Sequence, residues 1–385
     1  MITPHQLDLW ASNMSELYNS LEGEIIRIIA KRLNNGSNDI TQWQAQKLQE
    51  LHLFNNEVTK QLQQVTGVAE SEIRNMFEEA GKRMVDDIDK AMPYATRAMP
   101  THLDDVMRGY YEQSWSEIDN LVNQTLITTY HGLSQAQRSY QGVLNRTVAL
   151  LSTGLYSFED SLEKAIIELA LKGIGSGMVD RGGHRWSLEG YTRTVLRSTL
   201  ANSYDKVRKE RMSEYGVHTV VVTSHAGARD ACSTIQGNVV DLRFPEQLPS
   251  DSEYRSIYDI YWGASYGSAG GHRGVNCRHN HIPFIPGVNT NNQPSFDNDE
   301  LNERLAKARD KQRRIEREIV KYKKNLMVAE ELGNSSANHW RQMIRKRQKA
   351  MRDHLETNGE YLRRNYRRER VYTPLETLLN EYKKD

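Results

Sequence analysis

The residues best equipped for chemistry lie in two short segments rich in Gly, His and Arg. The first is Ser224-His225-Ala226-Gly227-Ala228-Arg229-Asp230-Ala231-Cys232, followed by Gln236-Gly237. The second is Gly270-Gly271-His272-Arg273-Gly274-Val275-Asn276-Cys277-Arg278-His279-Asn280-His281, closed by Pro283-Phe284-Ile285-Pro286-Gly287. Both cysteines of the chain fall within them. Thiolate and imidazole are the ligands that tetrahedral zinc takes. Cys232, Cys277 and His279 therefore offer a metal set, completed by His225, His272 or His281, with His225 taken as the fourth member. The spacing is not that of a zinc finger: one residue separates Cys277 from His279, and there is no C-x2-C pair.

Catalysis is a second reading of the same residues. His225 with Arg229, or Cys277 beside His279 and His272, would make a base with an electropositive partner, or a thiolate with a base. Imidazole and guanidinium together suit phosphodiester chemistry, one moving protons and the other holding charge. This is the rival hypothesis of a nucleic-acid-processing or toxin-like enzyme centred on His225, Arg229 and His279. No complete triad and no phosphate-cradling glycine loop is present, so no catalytic residue is assigned and the chain is read as non-enzymatic. The third reading is structural. Short loop-rich units need side chains to satisfy buried backbone groups, and Arg, His, Asn and Gln supply them. Free cysteines are in turn among the most buried residue types.

The elements that must hold these segments emerge from periodicity. Residues 1–150 read as a helical N-terminal region. Leu7, Trp10, Met14, Leu17, Leu21, Ile25, Ile28 and Leu33 recur at three- and four-residue steps on one helix face. Asn34-Asn35-Gly36 is expected to stop that helix in a left-handed C-cap. A second helix is expected from Thr41, with a break around Leu53–Asn55, and a third from Ala69 to Met92-Pro93. Leu121, Leu126 and Leu133 are expected core positions further on. Residues 151–215 read as a helical connector. Ser157 is its N-cap, Lys172–Gly177 ends one helix, and Ser187–Gly190 opens another that runs to about Tyr215. On that helix Arg193 and Arg197 are expected to be solvated or salt-bridged.

The character changes at Gly216. His218–Thr223 is β-branched and apolar, the first convincing strand. Residues 216–287 form a small α+β domain bearing the Cys/His loops, and 288–299 a polar linker. In 300–385, Leu301, Leu305, Ala308, Gln312, Ile315, Ile319, Tyr322 and Leu326 make a heptad seam, which implies a coiled-coil-like contact. After Gly333-Asn334-Ser335-Ser336, Trp340, Ile344, Met351 and Leu355 continue it, predicting an antiparallel helical hairpin and a basic tail. The predicted fold is thus mainly α: an elongated helical N-terminal region, a small α+β domain and the hairpin.

Composition limits the function. With 51 basic and 50 acidic residues, the net charge of +1 argues against a general DNA-coating role. The charge is unevenly placed: residues 301–385 hold 23 Lys and Arg against 13 Asp and Glu, and the preceding 300 hold 28 against 37. An acidic body with a basic section reads as an assembly component with two contact surfaces. Within the basic section, Arg363, Arg364, Arg367 and Arg368 could neutralise phosphate without reading base sequence. Two cysteines cannot build a disulfide framework and fit a reducing compartment. The N-terminal residues lack a basic region followed by an apolar core, and no apolar run is long enough to span a membrane, so neither a secretory signal nor a membrane anchor is expected.

At the two loops the chain resembles the phage minor capsid protein 2 family, which is related to the Mu-type head-morphogenesis proteins. The resemblance rests on Ser224, His225, Gly227, Arg229, the Cys232 position, Gln236 and Gly237, with Asn276, Cys277, Arg278 and His279 ahead of Pro283-Phe284-x-Pro286-Gly287. Trp186–Tyr191 through Arg193 and Arg197 is similar to the helix that precedes the family's strand. The resemblance implies a low-copy minor head protein that associates with the portal protein and takes part in head assembly, DNA packaging or DNA delivery. Its implied partners are the portal, the major capsid protein and packaged DNA. Its implied location is the capsid at the portal vertex, with the host cytoplasm during assembly. The wider family often carries C-x2-C at the first cysteine. Ser233–Gln236 stands there instead, so histidines must substitute if zinc is bound.

Overall fold

The computed structural model describes residues 4–36, 39–92, 102–123, 126, 133–179, 183, 185–274, 277–294 and 299–382. Helix dominates them. In chain order the helices are α1 (Pro4–Leu33), α2 (Ile40–Gln49), α3 (Leu51–Asp89), α4 (Leu103–Ile118), α5 (Gln135–Ser152), α6 (Phe158–Lys172), α7 (Leu188–Glu214), the single turn α8 (Asp230–Ser233), α9 (Asp299–Glu331), α10 (Ala337–Asn358) and α11 (Leu375–Tyr382). The strands are β1 (Gly175–Val179), β2 (Arg185–Ser187), β3 (Thr219–Val222), β4 (Val239–Asp241) and β5 (His281–Pro283). The chain forms two compact units. One comprises Met1–Ser12, Ile73–Ser114 and Thr194–Asp310; the other comprises Asn13–Glu72, Trp115–Arg193 and Lys311–Asp385.

In the second unit the α1 stripe is buried at Met14, Leu17, Leu21, Ile25, Ile28 and Leu33, as its spacing requires. The helix does end after Leu33, but without the expected left-handed cap: none of Asn34, Asn35 or Gly36 has positive φ. Gly36 answers to packing instead. A Cβ there would lie 2.8 Å from Phe158 Cε1, and Phe158 meets Trp43 edge-on at 5.1 Å. The expected break at Leu53–Asn55 is also absent, because the interruption falls at Glu50 and α3 runs unbroken through Asn55 and Asn56. The Asn55 carbonyl accepts from the Thr59 hydroxyl, and its side-chain oxygen accepts from Ser134. A residue read as a helix breaker is thus tied into the helix from both ends. Pro93, expected to end that helix, lies outside the described residues. Leu126 is buried, Leu133 is half-buried, and the Leu121 side chain is outside the described set.

Ser157 caps α6 through the Asp160 amide at 3.1 Å, as predicted. Between α6 and α7, where no strand is expected, β1 and β2 pair antiparallel as a small two-stranded sheet. β1 carries two glycines and β2 is only three residues long, which hides them from a search for β-branched runs. Ser187 then caps the start of α7 at the Gly190 amide, and Arg193 is salt-bridged to Glu189 at 2.5 Å.

Helices α9 and α10 form the predicted antiparallel hairpin. Ile315 and Ile319 pack with Met351 and Leu355, Glu318 pairs with Arg347 at 3.0 Å, and Tyr322 stacks on Trp340 at 6.0 Å. Partners rise in number on α10 as they fall on α9, which fixes the antiparallel sense. The polar heptad position Gln312 is buried, and donates to Glu316 and to the Arg363 carbonyl, so the segment after the hairpin is fastened to its seam.

A carboxylate is buried in the same unit. Glu22 on α1 accepts from the Tyr372 hydroxyl at 3.1 Å and lies 3.6 Å from Lys324 Nζ. Burial raises its pKa, and Lys324 and Tyr372 offset this only in part. A carboxyl whose folded pKa lies above its unfolded value contributes fully below that value and loses stability as pH rises through the folded one. Glutamine imitates the protonated form, so the melting temperature of Glu22→Gln relative to wild type should climb between pH 5 and pH 8, as followed by thermal melts. In the hairpin, Met351→Ala removes a fully buried side chain and should destabilise the unit by about 2–5 kcal/mol in urea unfolding.

Candidate functional site

The Cys/His loops belong to the first unit and are organised by its three-stranded sheet, ordered β4-β3-β5 and antiparallel throughout. The run predicted as a strand is its centre. Val220, Val221 and Val222 are buried and register with Val240, Val239 and the β5 residues Pro283, Ile282 and His281. Pro283 is tolerated because β5 is an edge strand. Beyond the ladder, the Thr223 amide donates to the Asn280 carbonyl at 2.8 Å and the Thr223 hydroxyl accepts from the Asn280 amide at 2.8 Å. This pairing delivers His279 and His281 to the site.

The α8 turn presents Cys232 from the other side. Its Sγ lies 3.9 Å from Cys277 Sγ, and Cys277 Sγ lies 3.5 Å from His279 Nδ1. With His272, these form a group of four whose donor atoms all lie within 4.8 Å of one another. Cys232, His272 and His279 are buried, and Cys277 is half-buried. His225 occupies a different place from the one expected of a fourth ligand. It stacks on His279 with ring centroids 4.2 Å apart, and its Nδ1 faces the Ala226 carbonyl at 3.2 Å. His281 is one layer behind, with its Nε2 2.8 Å from His272 Nε2.

The tautomer of His279 is set by a backbone group. The His225 amide can only donate, and it meets Gln236 Oε1 at 3.2 Å. That oxygen is therefore the acceptor facing His279 Nε2 at 3.2 Å, so Nε2 carries the proton. The Nδ1 lone pair is then aimed at Cys277. Arg229 donates to the Gly271 carbonyl at 2.6 Å, joining the first loop to the second. Gly227 has φ +68°, and a Cβ there would approach Ala306 Cα to 3.1 Å, so the first loop lies directly on α9, where Arg309 also bonds the Gly227 carbonyl. Ser224 donates its amide to Gln293 Oε1, and the Gly237 carbonyl accepts from Asn291. Arg278 is half-buried, and Asn276 lies outside the described residues.

Electrostatics sharpen the picture. The hydrogen bond between the two sulfurs draws the Cys277 pKa down, while the same bond and burial raise that of Cys232. Burial and the neighbouring His279 pull His225 down to about 4, and burial lowers His272 and His281 as well.

Sequence reasoning passed over the cations beneath the site. Arg208 on α7 is fully buried, lies against Asp205, and meets the His281 carbonyl at 3.3 Å and His281 Nδ1 at 3.1 Å. Arg273, with φ +61°, donates to Asp205 at 3.2 Å, to the His279 carbonyl at 2.8 Å and to the Ala201 carbonyl at 2.7 Å. No signal in the Lys206–Arg211 run distinguishes buried Arg208 and Arg211 from exposed Lys206. Arg273, by contrast, sits inside the second Gly- and His-rich segment, and that position was the available signal. Arg273→Met would leave Asp205 and two carbonyls without this donor and should cost about 3–5 kcal/mol, read from the urea midpoint.

The basic positions named from sequence divide in the second unit. Arg364 is held by both oxygens of buried Glu369 at 2.7 Å, so its charge is neutralised within the protein. Arg363 and Arg367 are exposed, and Arg367 bonds Asn13 Oδ1 at 3.1 Å. Arg368 instead lines a groove with Arg193, Arg313, Arg317, Lys321 and Lys324.

The match in sequence extends well beyond the motifs between Trp186 and Gly287. Residues 2–356 match the family described as phage minor capsid protein 2, and the chain belongs to that family. It is 28% identical over 370 residues to a structural protein of Lactococcus phage LL-H, covering 95% of this chain and 98% of the relative. It is 32% identical over 120 residues to a structural protein of Lactococcus phage mv4, covering 31% of this chain and 93% of that one. No solved structure matches. Relatives named as structural proteins fit a capsid component rather than an enzyme. Among the described residues, no helix is long and apolar enough to cross a membrane.

Proposed function

We propose that the protein is a low-copy component of the phage head, placed at the portal vertex, that takes part in head assembly and in the packaging or delivery of DNA. The near-complete match to the minor capsid family carries this reading. Charge placement adds to it. Arg317, Lys321 and Arg368 in the groove, where Arg193, Arg313 and Lys324 are paired with Glu189, Glu316 and Glu22, together with exposed Arg363 and Arg367, offer phosphate neutralisation without base contacts, which suits DNA of any sequence. In the other unit, Ile260 is 95% exposed and Tyr261 60% exposed on one turn, apolar surface suited to contact with the portal or the major capsid protein.

Quantitative mass spectrometry of gradient-purified particles, scaled to the portal protein, tests this. A fixed ratio of the same order as the portal is expected in procapsids or virions. Absence from both would overturn the head assignment.

A further inference from the structure

We propose that Cys232, His272, Cys277 and His279 form a structural zinc site that staples the α8 turn to the segment leading into β5. The inference goes beyond the head-protein reading and does not depend on it.

Two edges of the group match a tetrahedral coordination sphere, and all four donors lie within 4.8 Å of one another. With zinc–sulfur bonds of about 2.3 Å and zinc–nitrogen bonds of about 2.0–2.1 Å, a regular tetrahedron has a sulfur–sulfur edge of about 3.8 Å and a sulfur–nitrogen edge of about 3.6 Å. The corresponding separations are 3.9 Å for Cys232 to Cys277 and 3.5 Å for Cys277 to His279 Nδ1. A disulfide would need sulfurs about 2.05 Å apart, so these thiols are free and poised for a shared partner.

The donors also face the right way. His279 has its proton on Nε2, held by Gln236, which leaves Nδ1 as a lone pair beside Cys277. His272 has a buried Nδ1 with no hydrogen-bond partner; because Arg208 can only donate to His281 Nδ1, His281 Nε2 donates to His272 Nε2, and the proton on His272 Nδ1 is the one that a metal would displace. A ligating histidine typically has this form, with one nitrogen on the metal and the other held by an outer partner. With zinc on His272 Nδ1, Nε2 carries the proton and donates to His281 Nε2. His281 Nδ1–H then turns to the Asp205 carboxylate, now 3.7 Å away. Arg208 keeps Asp205 and the His281 carbonyl, both of which it already contacts.

Charge and ligand type select the ion. Two thiolates balance a divalent cation and the two imidazoles are neutral, so the loaded site carries no net charge in its buried setting. Zinc binding displaces the thiol protons. Sulfur and imidazole donors favour zinc over magnesium or calcium, which take oxygen. Four protein ligands leave no open position, the pattern of a structural site. The loop bearing His272 is wound too tightly for side chains at two points: a Cβ on Gly271 would lie 1.9 Å from the Ser265 carbonyl oxygen, and one on Gly274 would lie 2.0 Å from that of Ser268. A clamp across such a loop replaces the hydrophobic core that a three-stranded sheet is too small to supply.

The test uses the full chain, purified from zinc-supplemented medium without a metal-binding tag. Elemental mass spectrometry should find one zinc per chain. Replacement by cobalt(II) should give the intense visible bands of a tetrahedral, thiolate-ligated ion. His272→Ala and Cys277→Ser should each lose the stoichiometric metal, whereas His225→Ala should retain it. Gln236→Leu, which removes the outer partner of His279 together with the acceptor of the His225 amide, should weaken zinc affinity by about 10–100-fold while circular dichroism stays that of the folded protein. Wild-type protein that is folded, free of metal and unchanged in melting temperature by added zinc would overturn the proposal. Full zinc occupancy in His272→Ala, or its loss in folded His225→Ala, would overturn this ligand set.

Discussion

Two guanidiniums buried beside one carboxylate set the terms for the first unit. Asp205 lies against Arg208 and bonds Arg273, and it also accepts from the Tyr266 hydroxyl at 3.0 Å. Burial pulls both arginines toward the neutral form, Arg208 to about 10, so each needs an anion or acceptors at close range. Asp205 alone is one charge short. The Cys277 sulfur nearby favours the charged form of Arg273. The thiol pair, the histidines and the arginines are therefore one electrostatic system.

That system explains why a sheet of only three strands can organise so many polar side chains. β3 contributes the apolar centre, while the loops on either side bond one another through Arg229 to Gly271 and through Gln236 to both His225 and His279. Tyr204 and Arg211 on α7 reach Asp87 and Asp89 at the end of α3, tying the helix beneath the site to a helical partner within the same unit. Specific hydrogen bonds do here what apolar volume does in larger domains.

The helices and the hairpin were legible because their apolar spacing is regular and strong. The same holds for β3, whose β-branched run has few alternatives, and for Ser157 as a cap. Asn and Gly were misread where packing overrode local preference: Gly36 makes room for Phe158, and Asn55 sits inside α3. The β1–β2 pair escaped because its residues carry little strand propensity. At the site, residue types and proximity along the chain revealed which side chains matter, but not their arrangement. Nothing in the order of residues says that His225 stacks on His279 while His272 turns inward, nor that Arg208 is buried among charged neighbours. Those facts depend on how α7 lies against β5, a relation between segments far apart in sequence.

The division into interleaved units bears on the timing of synthesis. Each unit draws on three separated stretches, and the second is incomplete until Lys311–Asp385 has been made. Domains usually fold as they emerge from the ribosome, the earlier before the later, but here the early helices must wait for partners made last. Long loops must close before those contacts can form, which slows folding and leaves apolar helix faces exposed meanwhile. A nascent chain, or one lacking Lys311–Asp385, therefore cannot complete the second unit.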